Sequence, residues 1–159
     1  MISDSTLYKA VFQASEMMQG LGYTGKNGSI HLMNLGLQTN AITSIFHNLI
    51  AWQIARIGHG WKFHPKGGGT PDLTHIDGAS IQVKTTSDNK IKSNRITKHD
   101  GFYLCVKYRR EGFEIWIKQI LSGFLNDSDW SKSQKTQFAF LTEEGEKKLK
   151  KIFTAEYLA

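Results

Sequence analysis

Cysteine occurs once in the 159 residues, as Cys105, which excludes a disulfide framework and a thiolate zinc site. There are two prolines, Pro65 and Pro71, and both flank one glycine-rich stretch. No apolar run approaches the ~20 residues that span a bilayer. The opening MISDSTLYKAVFQASEMM lacks the basic region and apolar run of a signal peptide. Internal repeats and low-complexity tracts are absent. The six histidines show no His-x-x-x-His spacing, and Gly67-Gly68-Gly69 does not continue into the Gly-Lys-Ser/Thr of a nucleotide-binding loop. A hydrophobic share of 40% excludes collagen-like and disordered chains. The expectation is one soluble, cytoplasmic domain over residues 1–159, away from membranes.

Acidic residues are also in deficit, 14 against 20 Lys and Arg, for a net charge of +6. The excess is local. Residues 60–124 hold eleven basic and six acidic side chains, whereas residues 125–159 hold six of each. A localised basic surface attracts phosphate backbones by Coulomb steering and counterion release. Charge points to a partner and leaves the reaction open.

Hydrophobic periodicity predicts a helix over 5–19, capped by Ser5 or Asp4, then a loop over 20–37. The strongest helix is predicted over 40–57. It is apolar around most of its girth, hence largely buried, and is stopped by Gly58 and Gly60. Trp61 to His64 reads as a short strand, and Leu73–Ile76 and Ser80–Lys84 as a hairpin turning at Asp77-Gly78. A second hairpin, Phe102–Tyr108 with Phe113–Ile120, turns at Glu111-Gly112. Thr142 to Leu158 reads as a charged helix capped by Thr142. Cys105, Trp52 and Trp116 read as core. This order gives an α/β class, an α+β mixed sheet flanked by helices.

The informative stretch runs from Gly69-Thr70-Pro71-Asp72 to Ile81-Gln82-Val83-Lys84. Residues two apart on a strand share a face, so Gln82 and Lys84 point together while Val83 points to the core. A turn at Asp77-Gly78 brings Asp72 beside them. Asp72, the Gln82 amide oxygen and the Val83 carbonyl are a candidate oxygen set for Mg2+, which takes hard ligands and keeps several waters. Lys84 is placed to position a water and to offset charge on a phosphorane. The set suits phosphodiester hydrolysis, with Asp72, Gln82 and Lys84 as candidate catalytic residues. The plain alternative is that Asp72 caps a turn while Gln82 and Lys84 lie on an exposed edge strand.

Pro71-Asp72 followed by Gln82-Val83-Lys84, with Ile81 and Val83 around the lysine and Thr85-Thr86-Ser87 after it, resembles the PD-(D/E)XK nuclease superfamily. The resemblance covers roughly residues 40–120 and is closest to small type II restriction endonucleases with Gln in place of the second acid. It implies a restriction-endonuclease-like core with the site at a sheet edge, and it leaves 1–38 and 121–159 as accessory recognition or dimerisation elements. Many relatives carry a Glu about eleven residues before the helix-ending glycine. Here that place holds His47, a helix residue expected to have a local partner, which leaves Glu16 on the first helix as the substitute carboxylate.

After the proposed catalytic strand, Lys90, Lys92, Asn94, Arg95 and Lys98 interleave cations with amides and hydroxyls and are the candidate DNA contacts. The alternative for this run is an exposed basic helix. His59 and His64 are further candidate phosphate contacts. The resulting expectation is a Mg2+-dependent endonuclease acting on double-stranded DNA as a homodimer, with a DNA methyltransferase encoded nearby. The alternatives are a structure-selective repair or junction nuclease and a catalytically inactive DNA-binding module.

Overall fold

The computed structural model describes residues 1–65, 70–94, 99–112, 114–132 and 137–156. The first helix, α1 (Asp4–Gly20), starts one residue earlier than expected because Ser3 is the cap, its Oγ accepting the Thr6 N–H at 3.2 Å. Leu7, Ala10, Val11, Ala14 and Met18 recur every three or four residues and are buried.

The stretch 20–37 is not all loop. β1 (Gly22–Gly25) and β2 (Gly28–His31) pair as a ribbon around Lys26-Asn27. Gly28, at φ 111°, takes a backbone conformation that side chains resist. A short 3-10 turn, Leu32–Leu35, leads on to α2 (Thr39–Ile57). This helix buries Ile42, Phe46, Ile50, Ala51 and Ile54. Its opposite side corrects the expectation of burial all round: Ile45 and Leu49 are partly open and Trp52 is 42% exposed. Trp116 is also 42% exposed, so neither tryptophan is core. The Arg56 guanidinium lies over the Trp52 ring, 5.5 Å from its centroid. Gly58 ends α2, and a Cβ there would stand 2.8 Å from the Ile54 carbonyl and 2.9 Å from Trp61 Cδ1. Only glycine lets the chain turn this tightly into the next strand.

The remaining elements are β3 (Trp61–Phe63), β4 (Leu73–His75), β5 (Ser80–Thr86), β6 (Lys92–Asn94), β7 (Gly101–Glu111), β8 (Glu114–Leu125), β9 (Trp130–Lys132), β10 (Phe138–Leu141), α3 (Glu143–Lys147) and β11 (Lys150–Thr154). Six strands form one mixed sheet in the order β11-β8-β7-β5-β4-β3, with β5 and β7 parallel and the other neighbours antiparallel. The α/β expectation, a mixed sheet flanked by helices, therefore holds. Both predicted hairpins are present, β4–β5 and β7–β8. Phe113, at the start of the second arm, lies outside the described residues.

Alternate strand residues feed two cores. Ile81, Val83, Leu104 and Val106 pack against α1 and α2. Tyr103, Cys105, Leu121 and Leu125 face the other way, against Ile91, the residue before β6, and against Trp130, Ala139 and Leu141 of a three-stranded sheet, β6-β10-β9. Cys105 is fully buried there, and burial pushes its thiol up to about 12, as expected of a small hydrophobe rather than a nucleophile.

The C-terminal segment overturns its predicted helix. Thr142 caps as expected, its Oγ1 accepting the Gly145 N–H at 3.0 Å, but α3 lasts little more than one turn. The chain then pairs with β8 as β11, while Phe153 joins a ring cluster with Tyr8 and Phe12 of α1. Unpaired backbone along β8 and a docking place for Phe153 outweigh weak helix propensity. Leu158 lies outside the described residues. Thr142→Ala is expected to cost about 1 kcal/mol, read as a lower urea midpoint at constant slope. No helix among the described residues is long and apolar enough to cross a membrane.

Candidate active site at the uncovered edge of β5

β4 is too short to cover its neighbour. It pairs with β5 only through Leu73↔Ile81 and Thr74↔Ser80, so from Gln82 onward no strand among the described residues covers the outer edge of β5. Asp72, the residue before β4, fills the gap. Its Oδ2 accepts the Val83 N–H at 2.7 Å, and its own carbonyl accepts the His64 N–H at 2.9 Å. Its backbone is thus tied to the end of β3 and its side chain to β5. N–H and C=O of one strand residue point to the same edge, so the Val83 carbonyl shares this edge with Asp72.

α2 supplies the next group. Thr85 Oγ1 donates to the Thr43 carbonyl at 3.2 Å and anchors the helix to β5. One turn further on, His47 Nε2 stands 3.3 Å from Asp72 Oδ2, and its Nδ1 stands 3.0 Å from Asn48 Oδ1. The two side chains are 23% and 17% exposed, so the pair opens to solvent. Burial alone would raise the Asp72 carboxyl. The hydrogen bond and charge of His47, the Val83 N–H and the Lys84 charge outweigh it and hold the group below its usual value. Asp72 is therefore ionised throughout the neutral range.

Gln82 and Lys84 are in register with Tyr103 and Cys105 on the parallel neighbour β7, and both are partly buried. Among the described residues the Lys84 ammonium has no ion-pair partner and the Gln82 amide no hydrogen bond. Asp72 Oδ1 likewise accepts no hydrogen bond among the described residues. Of the expected set, Asp72 thus meets the Val83 N–H, and the charge of Lys84 acts on its carboxylate. An open carboxylate oxygen, a main-chain carbonyl and an amide oxygen fit a hard dication that keeps much of its water. The set carries little charge: among the described residues no three His, Cys, Asp or Glu side chains group as a metal cluster.

Other candidates fall elsewhere. Glu16 lies on the exposed face of α1 and is not among the groups acting on Asp72. His64 bonds Thr74 Oγ1 through Nε2 at 2.8 Å, beside the site, and His59 is exposed. The basic run is not a helix where it is described. Ile91 and Ser93 are buried, Lys92–Asn94 forms β6, and His99 is buried between the Asn94 carbonyl and Asp127. Lys90, Lys92 and Asn94 remain on the surface, with Lys92 Nζ 2.7 Å from Asp88. Arg95 and Lys98, like Gly67, Gly68 and Gly69, lie outside the described residues.

His47 is the member that sequence reasoning undervalued. Its local partner is Asn48, as expected, but its other nitrogen faces the aspartate. Its position eleven residues before Gly58 was the available signal. No protein-family model matches the chain, and no curated protein matches it either.

Proposed function

We propose that the chain is a metal-dependent endonuclease of the PD-(D/E)XK kind that hydrolyses phosphodiester bonds of double-stranded DNA, and that it works as a type II restriction enzyme. The reading rests on one observation above the rest: an ionised Asp72 bonded to the Val83 N–H, with Lys84 close enough to act on it, at an uncovered strand edge of a mixed sheet. Asp72, Gln82 and the Val83 carbonyl would hold Mg2+. When bound, the ion supplies Lewis-acid polarisation of a phosphoryl oxygen and a more acidic water. Lys84, free of any competing carboxylate contact within the described residues, offsets the charge that grows on the phosphorane. The basic excess of residues 60–124 draws in the phosphate backbone, and exposed Lys90 and Lys92 extend that attraction along the strand. A homodimer would match a palindromic site, with each subunit cutting one strand, and a partner DNA methyltransferase would protect the host.

A second reading, a DNA-binding module without catalysis, is favoured by the absence, among the described residues, of three His, Cys, Asp or Glu side chains grouped to hold a metal. One experiment separates the readings: plasmid and branched DNA are incubated with purified protein and Mg2+, then with EDTA. Discrete plasmid fragments that vanish with EDTA are the expected result. Preference for the branched substrate would instead mark a structure-selective nuclease. Salt-sensitive gel shifts without cleavage of either substrate would reject catalysis.

A further inference from the structure

We infer that the ribbon β1–β2 reads base sequence, entering the major groove of duplex DNA with Thr24, Lys26, Asn27 and Ser29. The inference rests on the DNA substrate proposed above and adds the part of the chain that selects the site. The ribbon is short and slim, with Gly25 opposite Gly28 beneath the Lys26-Asn27 tip. Thr24 and Ser29 are cross-strand partners, so their hydroxyls lie on one face. All four side chains are exposed, and none makes a hydrogen bond or an ion pair among the described residues. The chief neighbour of the ribbon is the 3-10 turn Leu32–Leu35, and no described side chain of the ribbon joins either core. A lone two-stranded ribbon is marginal in water, so one that buries no described side chain is better explained by a partner than by stability. Charge selects the partner. Residues 17–71 hold four Lys or Arg and no Asp or Glu, so the ribbon presents cation, amide and hydroxyls in a carboxylate-free stretch of chain, which complements a polyanion. Width selects the groove. Two strands about 4.8 Å apart, with their side chains, fit the major groove at about 12 Å and not the minor groove at about 6 Å. There Asn bonds adenine N6 and N7, Lys bonds guanine O6 and N7, and hydroxyls bond either. The ribbon is also near the chemistry. It leaves the end of α1 and returns through the 3-10 turn to the start of α2. From Thr39 to His47 that helix rises about 12 Å, the length of about three to four base pairs.

The test is selection by the intact chain from a duplex library with a randomised centre, with Ca2+ replacing Mg2+ to slow cutting and bound DNA recovered from a gel shift. The wild type is expected to enrich one short sequence. It is expected to bind that sequence at least about fivefold more weakly when 7-deazapurines remove the N7 acceptors of the major groove. Lys26→Ala and Asn27→Ala, at exposed positions and checked by circular dichroism, are each expected to relax one or two positions of the sequence by at least about fivefold. Asn27→Ala is expected to leave affinity for an unselected duplex nearly unchanged, because it removes no charge. An unchanged enriched sequence in both folded variants, no enrichment by the wild type, or indifference to the 7-deazapurines overturns the inference. A change of oligomeric mass in place of base preference also overturns it and makes the ribbon a contact between copies. Failure here is distinguishable from failure of the proposed function. Metal-dependent cleavage with selection that ignores the ribbon keeps the nuclease and rejects the ribbon as its reader. Ribbon-dependent selection by a wild type that cuts no DNA in Mg2+ does the reverse.

Discussion

Asp72→Asn and Lys84→Ala are each expected to lower metal-dependent cleavage by about 10^2–10^3-fold or more while leaving the fold intact. The choice of Asn matters. Its amide oxygen still accepts the Val83 N–H that Asp72 Oδ2 takes at 2.7 Å, so the lock between β4 and β5 survives and only the charge is lost. A fall in rate then reports chemistry and not a loosened hairpin. Lys84 makes no ion pair among the described residues, so its truncation removes an ammonium from the site without leaving a carboxylate unpaired. Lys92→Ala is the contrasting variant. Its partner Asp88 is a surface residue at 2.7 Å, and the loss should reduce DNA affinity and its salt dependence while sparing turnover on saturating substrate. Initial rates on plasmid at fixed Mg2+, with circular dichroism on each variant, decide the matter. Wild-type cutting by Asp72→Asn would show that the site lies elsewhere.

The parts of this arrangement visible in the sequence are those whose cause is local. The Asp77-Gly78 turn declares itself because Gly78 sits at φ 92° and Asp77 Oδ1 accepts the Ala79 N–H at 3.0 Å; both are properties of neighbouring residues. Strand alternation then places Gln82 and Lys84 on one face and Val83 in the core. The parts that were illegible depend on partners distant in the chain. Lys150–Thr154 becomes a strand because the edge of β8 lies there and α1 offers Tyr8 and Phe12 to Phe153, facts that no local window contains. Lys92–Asn94 is drawn into a sheet by Phe138–Leu141, far along the chain, and this turns a presumed basic surface into one with a buried inward side.

His47 shows the same division within the site. Sequence spacing puts it eleven residues before Gly58, yet only the packing of α2 on β5 reveals that its ring reaches Asp72. Exposure of Trp52 and Trp116 was misjudged for a related reason. Residue type predicts burial only on average, and each of these two sits on the outward side of its element.

That dependence on packing makes Phe46→Ala the substitution with the largest expected effect on stability. Phe46 is fully buried on α2 and meets Tyr108 of β7 edge to face, with ring centroids 5.2 Å apart at 78°. Tyr108 is itself buried, and its hydroxyl bonds Thr43 Oγ1 at 2.7 Å, so one aromatic pair and one hydrogen bond clamp the first half of the helix to the sheet. Truncation to Ala opens a cavity between two rigid elements that cannot close without moving α2. The expected cost is about 3–5 kcal/mol, or roughly 6–20 °C in Tm for a chain of this size. Urea unfolding should show a lower midpoint at constant slope, and Phe46→Leu should lose clearly less. The neighbouring residue is His47, so a shifted helix also pulls its ring from Asp72. Phe46→Ala is therefore expected to lower metal-dependent cleavage at temperatures where the protein is still folded, whereas Phe46→Leu is expected to spare it. A loss of stability below about 1 kcal/mol would show that α2 is not clamped at this point. The placement of His47 against Asp72 would then need another cause.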